Sequence, residues 1–321
     1  MSDAVSQAHL LLQQNDARAA AERLQRGAQS GDAGAARELA VWLLTGQIVR
    51  RDLAASRAMF ERAAELGDRS AAAVVRAFVA GGVGGPPDWP RAMSLLREAS
   101  ADDPDAAAQV QLINAMNLGP DGAPSADLRF EILSDSPEVR VFPGLFTAAE
   151  CAYLIDLVRP LLRPSVVVDP RTGRQVANPV RTSSAAGFPF TDENPAIHAL
   201  NRRLAAASGS DVRSGEPLQV LRYAPGEQYH RHSDALPGVA PAQQRVLTFL
   251  VYLNEDFEGG ETAFPALGIT FRGRTGDGLL FRNASPDGTP DAQAIHAGLP
   301  VVRGAKHLAS RWIRATPLVV E

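Results

Sequence analysis

Leu221-Arg-Tyr-Ala-Pro-Gly-Glu-Gln-Tyr-His-Arg-His-Ser-Asp234 is the stretch on which the reading of this chain turns. In extended backbone, side chains two apart point to the same face, so His232 and Asp234 can bind one ion. Far downstream, His296 offers a second imidazole and Lys306 follows ten positions later. Two imidazoles and one carboxylate are a ligand set for non-haem iron(II) with open positions. A fixed cation nearby suits an anionic co-substrate bound beside such an iron. His230 shares the parity of His232, and spacing alone leaves the two histidines as equal claimants.

Around this stretch, from Pro217 onward, short apolar runs alternate with Gly, Pro, Asn and Asp, the texture of an antiparallel barrel or sandwich. The clearest strands are expected over 218–223, 246–253, 279–281 and 308–313, with an earlier one over 138–142. Thr147 followed three residues on by Glu150 is a capping box, and predicts a helix running to Leu162. The fold class expected is α+β: an N-terminal helical solenoid over 1–118, a linker over 119–127 and a β-rich domain with flanking helices over 128–321. Two prolines and two glycines in Asn117-Leu-Gly-Pro-Asp-Gly-Ala-Pro-Ser125 place the linker.

The first third repeats at a period of 36 residues: Asp16, Asp52 and Asp88 stand in register, as do Leu24, Phe60 and Leu96, and Ala35, Ala71 and Ala107. Small residues at fixed points let paired helices approach closely, and stacked pairs bury what one pair leaves exposed. About three helix pairs follow. Ala28-x-x-Gly31-x-x-x-Ala35 and Ala64-x-x-Gly67-x-x-x-Ala71 resemble the Sel-one-like branch of the tetratricopeptide superfamily. That resemblance implies a surface for another protein, or else a helical spacer. The third unit departs from the pattern, with Asp103 where Gly31 and Gly67 stand.

Six ordered blocks carry a second resemblance. They are Arg181-Thr-Ser-Ser, Arg222-Tyr-x-x-Gly-x-x-Tyr-x-x-His-x-Asp234, Arg245-Val-Leu-Thr-x-x-x-Tyr-Leu-Asn254, Gly259-Gly-Glu-Thr-x-Phe-Pro265, Gly276-Asp-x-x-x-Phe281 and His296-x-x-x-Pro-Val-x-x-Gly-x-Lys306 ending at Trp312. In them the chain resembles the 2-oxoglutarate- and iron(II)-dependent oxygenases of the prolyl 4-hydroxylase branch. The resemblance implies a double-stranded β-helix, or jelly roll, with iron held by His232, Asp234 and His296. It also chooses His232 over His230, by the two residues between the Tyr and the metal-binding His. Lys306, Tyr223, Thr248 and Tyr252 are implied contacts to 2-oxoglutarate, and Arg181, Tyr229, Arg245 and Trp312 to a peptide. Dioxygen is the second co-substrate and ascorbate the reductant. The implied chemistry is oxidative decarboxylation of 2-oxoglutarate to succinate coupled to C–H hydroxylation, of a prolyl residue in a protein that the repeats recruit.

Two positions depart from the peptide prolyl hydroxylases: Arg314 stands where a His is usual, and Gly278 replaces a common Ala. Alternative readings are an oxygenase for a free amino acid or other small molecule, and a repeat-based interaction protein with an inert barrel. The glycines of the Gly259-Gly260 block are expected to turn one strand into the next. His9, His198 and His307 have no expected role in the site.

Composition narrows the surroundings. With a formal net charge of -4 over 321 residues and no gathered basic block, nothing points to nucleic acid. The single cysteine, Cys151, excludes an intramolecular disulfide and suits a reducing compartment. The first thirty residues lack an apolar leader segment and the longest apolar run is too short to span a bilayer. A cytoplasmic, soluble protein is expected.

Overall fold

The computed structural model describes residues 2–125, 128–168, 175–177, 180–285 and 287–318; residues 126 and 127 of the expected linker lie outside them. The chain divides into two compact units, one formed by Met1–Pro124 with Pro189–Leu200, the other by Ser125–Phe188 with Asn201–Leu318. The segment 189–200 thus groups with the helices rather than with the β-rich part of the chain.

The helical unit starts with α1 (Asp3–Gln13), α2 (Ala17–Gln29), α3 (Ala33–Thr45), α4 (Leu53–Glu65), α5 (Arg69–Gly81), α6 (Trp89–Ala99) and α7 (Pro104–Ala115). The periodic aspartates explain where they begin. Asp16, Asp52 and Asp88 are the N-caps of α2, α4 and α6, each accepting a hydrogen bond from a backbone N–H three residues on. Asp32 and Asp68 cap α3 and α5 in the same way. In the third unit the cap falls on Asp103, with Pro104 as first helical residue, one position earlier than the 36-residue period requires. That shift is why Asp103 stands where the other units have glycine. Gly46 and Gly82 end α3 and α5 in the left-handed conformation, which costs glycine nothing. At Gly27 a Cβ would lie 2.7 Å from that of Ala35 and 2.8 Å from that of Ala4, so α1, α2 and α3 meet at a distance only glycine permits.

The body of the β-rich unit is two antiparallel sheets, beside two two-stranded pairs, Glu258–Gly259 with Val301–Arg303 and Val166–Val168 with Gln175–Ala177. Across the larger, the order is Glu131–Asp135, Glu138–Phe142, Gly278–Arg282, Arg245–Tyr252, Lys306–Arg314, Gln219–Tyr223, Ser184–Gly187 and Arg163–Pro164. The smaller runs Ile269–Phe271, Thr262–Phe264, His296–Gly298 and Tyr229–His232. Non-sequential neighbours and the facing sheets give the expected double-stranded β-helix. Its interior is one cluster that includes Val139, Leu221, Leu250, Phe264, Phe281 and Leu308. Phe264 of the smaller sheet meets Phe281 of the larger edge to face at 5.0 Å, joining the layers.

The capping box at Thr147 is present, and its helix, α8 (Ala148–Val158), stops four residues short of Leu162 because Pro160 follows closely. Glu150 of that box also receives both terminal nitrogens of Arg203, at 2.6 and 2.8 Å. Arg203 lies on α9 (Pro195–Ser208), so a local cap doubles as a buried ion pair. Among the described residues, no helix is long and apolar enough to cross a membrane.

Candidate active site

His232 and His296 are direct cross-strand partners in the smaller sheet, which sets their rings 4.3 Å apart. Asp234 follows two residues after His232, beyond the end of the strand. Its Oδ1 lies 3.5 Å from His232 Nε2 and its Oδ2 3.7 Å from His296 Nε2. One donor atom from each residue falls within 4.8 Å of the others, the one such group of three found among the described residues. His230, equal to His232 by parity, is exposed and outside the group. The physical reason is a register shift: His232 opposes His296, but Tyr229 opposes Gly298. Three steps on one strand therefore answer two on the other, and a bulge of this kind breaks the alternation on which parity rests.

Backbone carbonyls fix the state of both imidazoles. His232 Nδ1 donates to the carbonyl of His230 at 2.8 Å, and His296 Nδ1 donates to that of Ala294 at 3.1 Å. Each Nε2 is left as an unprotonated donor toward Asp234, the tautomer that metal binding needs. Burial pushes His296 down to about 4, against the pull of Asp234, so it is neutral at physiological pH. Burial also opposes the charge of Asp234, but the neighbouring His232 and His296 rings and the hydroxyl of Thr248, which donates to it, outweigh that and hold the carboxyl well below the usual range. An ionised carboxylate and two oriented imidazoles fit an iron(II) ion.

The same cleft reaches Lys306. Lys306 is buried, its Nζ 2.6 Å from the carbonyl of Gly260. The rings of Tyr252 and Tyr223 lie 4.8 and 5.7 Å from it. Among the described residues it forms no ion pair, and burial pushes it from 10.5 down to about 7, only partly offset by Glu261. A buried cation without a carboxylate fits the far carboxylate of 2-oxoglutarate. Gly260 is what brings its carbonyl there, at φ +69 with Val301 and the Lys306 stem close against it.

The expected co-substrate contacts separate. Tyr223 faces Lys306 across neighbouring strands and lines the cleft. Thr248 and Tyr252 do not line it. The Thr248 hydroxyl donates to Asp234 Oδ2 at 2.7 Å and accepts from Asn283 Nδ2 at 2.8 Å. The Tyr252 hydroxyl is engaged with Thr262 and with the carbonyl of Phe271, at 2.8 and 3.1 Å, leaving its ring to back Lys306. Both hydroxyls thus have partners within the protein, Asp234 and Asn283 for Thr248, Thr262 and Phe271 for Tyr252.

At the mouth, Tyr229 stacks on His232 with centroids 3.4 Å apart, and the Arg181 guanidinium lies 5.6 Å from the Tyr229 ring. Trp312 also lines the cleft. Arg245 does not line the cleft: its guanidinium covers the Trp312 ring at 3.8 Å while binding both oxygens of Glu216 at 2.7 Å. Arg314 binds the same carboxylate, at 2.5 Å. Arg245 is therefore a support for Trp312, and the departure at Arg314 is absorbed by Glu216. Gly278 lies away from the cleft. A Cβ there would come within 2.7 Å of Leu145 and 2.8 Å of Phe249, so that departure reflects packing.

Sequence reading missed Leu308, Ser310 and Thr262 as cleft residues. Strand periodicity held the signal for the first two: Lys306, Leu308, Ser310 and Trp312 alternate along one strand and all line the cleft.

Facing sheets with two imidazoles, a carboxylate and a buried lysine at one mouth define an oxygenase of the double-stranded β-helix type. Residues 218–314 match the 2OG-Fe(II) oxygenase superfamily. The chain is 37% identical over 201 residues to prolyl 4-hydroxylase 1 of Arabidopsis thaliana, covering 57% of this chain and 71% of that protein. It is 34% identical over 206 residues to probable prolyl 4-hydroxylase 10 of the same plant, with the same coverage. Among solved structures, a viral collagen prolyl hydroxylase from Paramecium Bursaria Chlorella virus-1, in its 2OG complex, aligns at 27% identity and a TM-score of 0.46, covering 57% of this chain and 99% of that one. The chain belongs to the prolyl 4-hydroxylase family of 2-oxoglutarate- and iron(II)-dependent dioxygenases.

Proposed function

We propose that the cleft hydroxylates a prolyl residue of a peptide or protein, with His232, Asp234 and His296 holding iron(II) and Lys306 holding 2-oxoglutarate. The observation that carries this reading is the shared cleft, which the three metal-binding candidates and a buried lysine without an ion pair among the described residues all line. Iron(II) and 2-oxoglutarate, when bound, consume dioxygen to give succinate and carbon dioxide and supply the oxygen atom inserted into the substrate C–H bond.

The chain's own residues bind, orient and exclude. Lys306 neutralises the far carboxylate in a setting walled by Leu221, Leu250 and Leu308, where a charge pair is stronger than in water. The Nδ1 hydrogen bonds of His232 and His296 keep both rings in one orientation. Tyr229 with Arg181, and Trp312 with Arg245, offer aromatic walls braced by guanidinium groups, which suit a flat pyrrolidine ring between them.

The purified protein with iron(II), ascorbate and proline-rich peptides is expected to form succinate with stoichiometric +oxygen on the peptide, and His232→Ala to lose both. Succinate formation unchanged in that variant would remove the metal assignment. The small-molecule reading is favoured by one observation, the binding of both Arg245 and Arg314 to Glu216, which leaves the rim less cationic; free proline hydroxylated in preference to peptides would establish it. Recruitment by the repeats is supported by an apolar groove lined by Ala21, Leu39, Leu43, Val49 and Met59. Leu43→Glu with Met59→Glu is then expected to slow turnover of the protein substrate and spare a short peptide; equal turnover of both argues for a spacer.

A further inference from the structure

The three candidate ligands are not held alike. His232 and His296 are paired with each other across the ladder, at the ends of their strands, whereas Asp234 lies past the strand end on a segment without ladder hydrogen bonds. A carboxylate on such a segment turns freely unless another element holds it. Thr248 does so from the centre of the larger sheet, where its backbone pairs with Phe281 on one side and Trp312 on the other.

The direction of the contact is fixed by proton counting. A hydroxyl has one proton, and an ionised carboxylate only accepts. The Thr248 proton therefore goes to Asp234 Oδ2 at 2.7 Å, and its lone pairs meet the Asn283 amide nitrogen at 2.8 Å. With the amide reversed, oxygen would face oxygen. Asn283 is itself pinned, its N–H donating to Val246 and its carbonyl accepting from Asp291, both at 2.9 Å. Thr248 and Asn283 are 0% and 1% exposed, so water does not substitute for either bond.

We propose that Thr248 and Asn283 are positioning residues that set the rotation of the Asp234 carboxylate, and with it the strength of metal binding. The proposal rests on the reading of Asp234 as a ligand. By holding Oδ2, the pair presents Oδ1 on the His232 side, and discourages the carboxylate from turning both oxygens to the ion and closing a position the co-substrates use.

The test is manganese(II) binding to the full-length apoprotein, followed by loss of the free-ion electron paramagnetic resonance signal. Thr248→Val is expected to weaken binding about 10- to 100-fold, the range for removing a partner of a metal ligand, and Thr248→Ser to stay within about threefold of wild type, since it keeps the hydroxyl. Asn283→Ala is expected to weaken binding about threefold to tenfold on its own and to add nothing in the Thr248→Val background, because the two act in series. Asp234→Ala, run alongside, separates the two levels. If it abolishes binding while Thr248→Val binds as wild type, the positioning role is overturned and the site stands. Binding unchanged in Asp234→Ala overturns the site itself. Thermal unfolding without metal distinguishes a structural role: a lowered midpoint with unchanged manganese affinity overturns the proposal. Should Thr248→Val not fold, Asn283→Ala decides, and wild-type affinity there overturns the relay.

Discussion

Replacing Lys306 by Met keeps the length of the side chain and removes its charge, which separates two effects of opposite sign. In the protein without co-substrate the ammonium is 2% exposed and has the Gly260 carbonyl as its hydrogen-bond partner. Burial takes it from 10.5 to about 7. At about 1.4 kcal/mol for each pH unit between those values, the folded state carries on the order of 5 kcal/mol of unfavourable charge burial below neutrality. Because the folded value is the depressed one, stability is fullest above 10.5 and falls as pH drops through about 7. Lys306→Met escapes that loss. It is expected to resist urea better than wild type by about 3 kcal/mol near pH 7, the charge-burial cost there less roughly 1 kcal/mol for the Gly260 carbonyl left without its donor, with the gap closing as the solution becomes alkaline. The same change removes a charge-assisted hydrogen bond to 2-oxoglutarate, worth about 1.5–3 kcal/mol, so the 2-oxoglutarate KM in a succinate assay rises about 10- to 150-fold. A Met variant no more stable than wild type at neutral pH, with unchanged KM, would refute the assignment of Lys306 as a cation held in waiting.

Three further outcomes follow from contacts described above. His230→Ala leaves manganese affinity within about twofold of wild type, whereas His232→Ala abolishes it; isothermal titration of both checks the bulge that separates them. Gly278→Ala forces a methyl against Leu145 and Phe249 and lowers stability by about 1–3 kcal/mol without changing metal affinity, read from urea unfolding and the same titration. Glu150→Gln removes the charge opposite buried Arg203 and costs about 3–5 kcal/mol, seen as a lower urea midpoint.

Spacing made His232, Asp234, His296 and Lys306 visible because strand parity and ligand type are both local properties. The family pattern added which histidine to expect beside Asp234 and His296, but its reason, the bulge opposite His296, is a property of two strands and has no trace in one. Thr248 and Tyr252 were legible as inward-facing residues of a single strand. What their hydroxyls bind depends on Asp234, Asn283, Thr262 and Phe271, brought together only by closure of the sheets. The same holds for Glu216, whose capture of Arg245 and Arg314 unites positions far apart in the chain. The Ser310 position was within reach, since it needed only the alternation from Lys306 to Trp312 to be carried through. In the helical unit the aspartate period marked the helix starts, and it failed at Asp103 because one residue is missing from the third unit.

The aspartate caps have a bearing on how such a chain can change its length. Each helix from α2 to α7 begins at an aspartate of its own, and α3 and α5 end at a glycine of their own. The instructions for starting and stopping are thus written inside each unit rather than borrowed from the next. A unit copied or deleted in frame carries its punctuation with it, so an array of this kind can lengthen or shorten through gene duplication without rewriting its neighbours. The displaced start of α7 shows how little the punctuation depends on an even count.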